Sequence, residues 1–238
     1  MKIVLVHGGW QGGWAWDGVA EQLRAAGHDV FAPTLRGQED GDVDRSGITL
    51  TTMVDDLIGR IEGQGFDRFV LVGHSGGGPV IQLVAERQPE RVERTVFVDA
   101  WVLADGECIN DLLPDELVGA VTALAGQSSD NSVTLPPEMF LGAFLQDADE
   151  ALAASVAARI VPSPLGWLTE PVRLSRFFTS GVPSSYVFLQ QDQAVPKTAY
   201  ERSANRLADP RIVECPGSHE AMLTHPAELA KALLEATA

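Results

Sequence analysis

One serine set among four glycines, in FVLVGHSGGGPVIQLV at 69–84, constrains this chain more than any other stretch. The run Phe69-Val70-Leu71-Val72 before it is short, β-branched and aromatic, and reads as a buried parallel strand. From Pro79 to Glu86 the apolar residues fall at helical spacing, and the pattern ends before Pro89. Gly73-His74-Ser75-Gly76-Gly77 is therefore a G-x-S-x-G turn between a strand and a helix. Such a turn strains the backbone of its central residue and lifts that side chain off the sheet. Small residues are needed two positions to either side, because strand and helix come into near contact. Gly78 is expected to let the helix pack closely on the sheet. The helix N-terminus also aims free N–H groups at any negative charge forming beside Ser75. The bland alternative is a glycine-rich turn whose serine merely caps a helix.

Strand patterns occur at 2–7, 29–33, 69–72, 95–99, 185–190 and 211–215, with amphipathic stretches between them such as 14–26 and 52–62. Alternation of this kind predicts an α/β fold with a mainly parallel six-stranded sheet flanked by helices. In the second amphipathic stretch Thr52 is placed to cap the first turn, with Asp55 and Asp56 beside the positive helix end; capping explains that acid pair better than acid/base chemistry. From 103 to 181 no strand pattern is evident, only helical ones broken by Pro114, Pro136, Pro137, Pro162, Pro164 and Pro171. The expected organisation is a core formed by 1–102 and 182–238, with 103–181 as a helical cap inserted over one edge of the sheet. Most apolar residues of that insertion should pack it onto the body, and a minority should face a cavity beneath it.

The formal charge of −16 argues against a nucleic-acid or anionic-membrane surface, since phosphate binding needs a basic footprint. The longest apolar run at the N-terminus, Ile3 to Val6, is too short for a signal-peptide core, and no stretch approaches a membrane span. Cys108 and Cys215 fit reduced, packed thiols. These features together predict a soluble, cytoplasmic protein whose partner is a small-molecule substrate, and none of them fixes an oligomeric state.

A serine nucleophile needs a base, an acid to orient it and an oxyanion hole. Of the five histidines, His7 and His74 lie in strand-end motifs, His28 follows Gly27, and His225 precedes Pro226. His219, in CPGSHEAML directly after the last strand, can reach back across the carboxyl ends of the strands and is the best base by position. The acid should follow a strand between Ser75 and His219. Asp192 in SYVFLQQDQAVP fits, with Asp99 in TVFVDAW as the alternative. Oxyanion donors would come from the Gly76 amide and from the loop His7-Gly8-Gly9-Trp10, through Gly9. His219 and His225 are six apart, which matches no common zinc spacing, so no metal is expected. No cofactor is expected either: neither glycine cluster reads G-x-G-x-x-G, and Trp14 and Ala15 stand where a P-loop needs Lys and Ser or Thr. Trp10, His74, Trp101, Phe140, Phe144 and Trp167 are the candidate pocket residues.

LVHGGWQGGWAW, LVGHSGGG, FLQQDQAVP and GSHEAMLTHPAEL, in that order, resemble the α/β-hydrolase superfamily over nearly the whole chain. They are most similar to the branch of plant methyl-ester esterases and α-hydroxynitrile lyases. The resemblance implies Ser75 as nucleophile, His219 as base, Asp192 as its orienter, Gly9 and Gly76 as oxyanion donors, and a helical cap. The lyases of this branch use a threonine in the first loop and a lysine after the histidine; here Gly8 and Glu220 stand in those positions. The expected activity is hydrolysis of a small to medium carboxylic ester, thioester or lactone. A non-hydrolytic lyase, C–C cleaving or cyclase reaction in the same site, and a small-molecule receptor on the same fold, are the alternatives.

Overall fold

Alternate residues of the central strand runs enter two different apolar layers, which is what a sheet covered on both faces requires. In the computed structural model, which describes residues 1–41 and 43–238, the strands are β1 (Lys2–Val6), β2 (Asp29–Phe31), β3 (Phe69–His74), β4 (Val92–Val98), β5 (Ser132–Val133), β6 (Ser163–Pro164), β7 (Ser184–Leu189) and β8 (Arg211–Cys215). Six of them form one parallel sheet in the order β2-β1-β3-β4-β7-β8. Val4, Val6, Phe69, Leu71 and Phe97 join one core; Ile3, Leu5, Val70, Val72, Val96 and Val98 join the other. The six are the strands expected from the sequence, with moved ends; β4, for instance, begins at Val92 rather than Thr95.

Helices α1 (Asp17–Ala25), α2 (Leu50–Gly63) and α3 (Gly77–Arg87) fill the first crossovers. Thr49, not Thr52, caps α2: its hydroxyl accepts from the Thr52 N–H at 3.3 Å, and the Thr52 hydroxyl accepts from the Thr49 N–H at 2.9 Å. The cap lies earlier than the sequence pattern placed it, because Leu50 and Thr51 also turn helically. Asp55 and Asp56 consequently fall beyond the first turn, where they pair with Arg87 and, at 3.6 Å, with Arg60.

Between β4 and β7 the chain leaves the sheet for α4 (Asp115–Ala125), α5 (Pro137–Phe144), α6 (Glu150–Ala157) and α7 (Leu165–Thr169). This stretch is not purely helical as expected. β5 and β6 form a small antiparallel ribbon, each too short to leave a period-two signature and one of them ending in a proline. Leu135, Phe140, Leu145 and Val156 give the stretch an apolar cluster of its own. One side chain of α3 anchors its return to the sheet. The Glu86 carboxylate accepts from the Ser175 hydroxyl at 2.7 Å and from the N–H groups of Ser175, Arg176 and Phe177 at 2.9, 2.8 and 2.6 Å. The chain closes with α8 (Lys197–Ala204), α9 (Ala221–Thr224) and α10 (Pro226–Thr237), the last packed beside α1. Among the described residues, no helix is long and apolar enough to cross a membrane.

Candidate active site

The site forms where β1 and β3 lie side by side and the strand order reverses, the usual place for ligands in an open parallel sheet. Three non-glycine residues with left-handed backbone gather at neighbouring strand ends: Trp10 (φ 62°) after β1, Ser75 (φ 51°) after β3 and Asp99 (φ 33°) after β4. Strain of this kind is held only where its surroundings over-determine it. Around Ser75 they do. Its N–H donates to the Val98 carbonyl at 3.2 Å, and its carbonyl accepts from the N–H groups of Gly78 at 3.1 Å and Trp101 at 3.2 Å. A Cβ on Gly77 would lie 2.8 Å from the His7 carbonyl oxygen, and one on Gly78 would collide with the Trp101 carbonyl. The glycines thus admit β1 and the strand exit of β4 against the start of α3.

His219 sits in the loop between β8 and α9 and is buried. Its Nδ1 is 2.6 Å from Asp192 Oδ2 and 3.2 Å from the Tyr200 hydroxyl, which leaves Nε2 for the cavity that Ser75 also lines. Burial alone would depress the imidazole pKa, but the Asp192 carboxylate, with Glu220 adding to it, holds it above its usual 6.5. Burial likewise opposes the Asp192 charge, yet the His219 partner prevails and brings its pKa down to about 2. Asp99, the alternative acid, lies against Asp192 rather than against the histidine. Its Oδ2 accepts from the Leu189 N–H at 3.0 Å, and burial followed by the Asp192 charge pushes its pKa well up, which favours the neutral carboxyl.

The cavity over Ser75 has about 910 Å³ of atom-free space, counting open solvent at its mouth. Trp10, Trp101, Phe144 and Trp167 line it, as do Gly9, Gly76 and His219, and among the described residues no Asp, Glu, Lys or Arg does. The Trp10 N–H donates to the Ser163 hydroxyl at 2.8 Å and its indole N–H to the Val133 carbonyl at 2.9 Å, so the small ribbon fixes the first loop. The Trp167 indole donates to the Gly76 carbonyl at 3.1 Å. His74 and Phe140, also expected in the pocket, instead line a small adjoining recess that shares Gly9, Trp10, Ser75, Phe144 and His219 with the cavity and adds Gln11 and Glu220.

Glu220 is 1 % exposed, and one carboxylate oxygen accepts from the Gln11 side-chain amide. Burial lifts its pKa to about 7 against the pull of His219 and Gln11. Burial, then the neighbouring His219, keeps the His74 imidazole neutral, its pKa well below the ordinary value. Ligand-type atoms of His74, His219 and Glu220 lie within 4.8 Å of one another. The His219–His225 spacing could not reveal this grouping; His225 lies 3.4 Å from Asp147 instead. His7 serves the loop structure, bonding the Gly8 carbonyl at 2.8 Å and accepting from the Leu35 N–H at 2.9 Å. Tyr200, Gln11, Ser163 and Asp147 were not singled out in the sequence, because lone polar residues in helical or loop patterns carry no motif.

An alpha/beta hydrolase family model matches residues 3–232. A carbendazim-hydrolyzing esterase of Nocardioides sp. is 31% identical over 238 residues, spanning 98% of this chain and 98% of its own. Salicylic acid-binding protein 2 of Nicotiana tabacum is 30% identical, spanning 98% of this chain and 95% of its own. The solved structure of an extracellular α/β-hydrolase from a Paenibacillus species, described as sharing structural and functional homology with the tobacco protein, aligns at TM-score 0.93 with 31% identity, over 99% of this chain and 98% of that one.

Proposed function

The chain belongs to the α/β-hydrolase family, and from that premise we propose that it hydrolyses carboxylic esters through an acyl-enzyme on Ser75. The observation that carries the reading is the 2.6 Å contact between Asp192 and His219 Nδ1, at a cavity whose wall includes the strained Ser75. In this mechanism Asp192 fixes the tautomer that carries hydrogen on Nδ1 and stabilises the imidazolium. His219 Nε2 takes the Ser75 proton as Oγ attacks the carbonyl carbon. The developing oxyanion is held by the Gly76 amide, at the N-terminus of α3, and by the Gly9 amide, since that of Trp10 is engaged by Ser163. Collapse of the tetrahedral intermediate expels the alcohol, which receives the proton from Nε2, and water then releases the acid.

The apolar, aromatic wall supports a neutral ester, thioester or lactone of small to medium size over an anionic one. Residues 103–181 act as the cap, supplying Met139, Phe144 and Trp167 to that wall. A carboxyl at Glu220, where cyanohydrin cleavage calls for a cation, speaks against the lyase reading. The unpaired thiols Cys108 and Cys215 support a reducing, cytoplasmic setting.

The test is a panel of aryl and alkyl esters and lactones with wild type and Ser75→Ala, together with intact-mass detection of the acyl adduct. Turnover by wild type, with loss of both turnover and adduct in the variant, is the expected result. Full activity in Ser75→Ala, or an adduct elsewhere, overturns it.

A further inference from the structure

Four polar atoms of the recess beside Ser75 and His219 have no hydrogen-bond partner in the protein: Glu220 Oε2, Gln11 Oε1 and both ring nitrogens of His74. Their residues are buried as deeply as typical core side chains, with Glu220 and Gln11 1 % exposed and His74 0 %. Buried polar groups are almost always paired, by water where protein does not reach. The recess has room for about one water molecule, and its wall includes Gly9, Ser75 and His219. A neutral imidazole offers one donor and one acceptor, while the Glu220 carboxylate and the Gln11 carbonyl accept. Together they offer one donor and three acceptors, so a water in the recess can give its hydrogens to two of the acceptors and accept from the imidazole N–H.

We propose that this recess binds the water that hydrolyses the acyl-enzyme, with Glu220, Gln11 and His74 holding it beside Ser75 and His219. The inference rests on the ester-hydrolase reading and adds a place for its second reactant. The main cavity suits the acyl and leaving groups but offers few polar atoms to orient water; the recess shares Ser75 and His219 with it and adds Gln11, His74 and Glu220. After acylation the acyl carbon is bonded to Ser75 Oγ and His219 is neutral again. One water proton passes to His219 Nε2, and the water oxygen bonds to the acyl carbon. The carbonyl π electrons move to the oxygen held by Gly9 and Gly76. Collapse breaks the bond from carbon to Oγ, and the proton on Nε2 moves to Oγ. Glu220 accepts a hydrogen bond from the water throughout and takes no proton.

The experiment separates acylation from deacylation with p-nitrophenyl esters in rapid-quench and stopped-flow measurements on wild type, Glu220→Leu, Gln11→Leu and the conservative Glu220→Gln. Leucine fills the recess and removes an acceptor. The expected result is a burst rate close to wild type with deacylation slowed roughly tenfold or more, the weight of a hydrogen bond to a charged group, and an intermediate loss in Glu220→Gln. Hydroxylamine, entering through the main cavity, should restore turnover in the leucine variants. Equal slowing of burst and deacylation in both leucine variants would overturn the proposal, since it would mean that only His219 had been disturbed. So would loss of wild-type deacylation on dialysis against a chelator, which would make the His74–His219–Glu220 group a metal site. Absence of any acyl-Ser75 adduct in wild type would instead sink the underlying hydrolase reading.

Discussion

Asp147, just past α5, holds Ser218, the residue before His219: its carboxylate accepts from the Ser218 N–H at 2.9 Å and from the Ser218 hydroxyl at 2.6 Å. The Thr224 hydroxyl donates to the same carboxylate at 3.1 Å, and the Glu220 N–H donates to the Phe144 carbonyl at 3.1 Å. The segment between β4 and β7 is thereby tied to the histidine loop as well as roofing the cavity. Burial alone would raise the Asp147 pKa, but the donors around it hold it below the usual carboxylate range.

Asp147→Ala should therefore loosen the His219 loop without touching the reacting atoms. Losing hydrogen bonds to a half-exposed carboxylate is expected to cost about 1–2 kcal/mol. For a chain of this size that is a fall in melting temperature of roughly 2–8 °C. Ester turnover should fall by roughly tenfold, far less than in His219→Ala. Calorimetry and kcat/KM on one p-nitrophenyl ester check both; unchanged turnover would show that the latch does not position the histidine.

The paired carboxyls predict opposite outcomes for two like substitutions. Asp192→Asn removes the charge that stabilises the imidazolium and permits the wrong tautomer, so kcat should drop by roughly 10⁴. Burial and the Asp192 charge push the Asp99 pKa well up and favour its neutral form, and its Oδ2 accepts from the Leu189 N–H at 3.0 Å. Asn at that position keeps an acceptor for Leu189 and presents an N–H₂ toward Asp192, so Asp99→Asn should change kcat by less than about tenfold. Steady-state kinetics on the two variants decide it. The reverse pattern would move the acid to the end of β4.

What the sequence made legible follows from what it writes locally. Gly73 to Gly78 specify the turn because strand and helix cannot approach otherwise, and the order of Ser75, Asp192 and His219 follows the order of the strands that carry them. The recess was not legible in the same way. Gln11 and Glu220 lie 209 positions apart in the chain and meet only because β1 and the loop after β8 end on the same side of the sheet. An adjacent pair such as His219-Glu220 gives no hint that both side chains turn inward. The ribbon of β5 and β6 escaped notice for a different reason, since two-residue strands have no periodicity to read.

In its proposed role as general base, His219 must be neutral, so kcat/KM should rise with pH as it loses its proton, with a midpoint above 6.5. Asp192 and Glu220 raise this pKa, while the Tyr200 hydroxyl bonds the ring and the neutral His74 ring lies tilted to it with centroids 4.5 Å apart. Removing one negative neighbour lowers the pKa, so the acidic limb should move to lower pH in Glu220→Gln. Rate profiles from pH 5 to 9 on the same ester test the shift. An unmoved limb would mean that the Glu220 charge is not felt at the imidazole.

Glu220 also leaves a mark on stability. Its carboxyl goes from an unfolded value near 4.5 to about 7 in the folded chain, because burial penalises the charge. A raised folded pKa means that the folded state binds the proton more tightly. The stabilisation is complete below about 4.5 and is lost as pH rises through about 7. His219 loses its charge over the same range and ceases to favour the carboxylate, which acts in the same direction. Glu220→Gln removes this titration and keeps the hydrogen bond acceptor for Gln11. The unfolding free energy of wild type relative to the variant should therefore decline between pH 4.5 and 8, by at most on the order of 3 kcal/mol. Urea unfolding of both proteins at pH 5 and pH 8 measures it. A constant difference would show that Glu220 keeps an ordinary carboxylate pKa in the folded protein, with water reaching both of its oxygens.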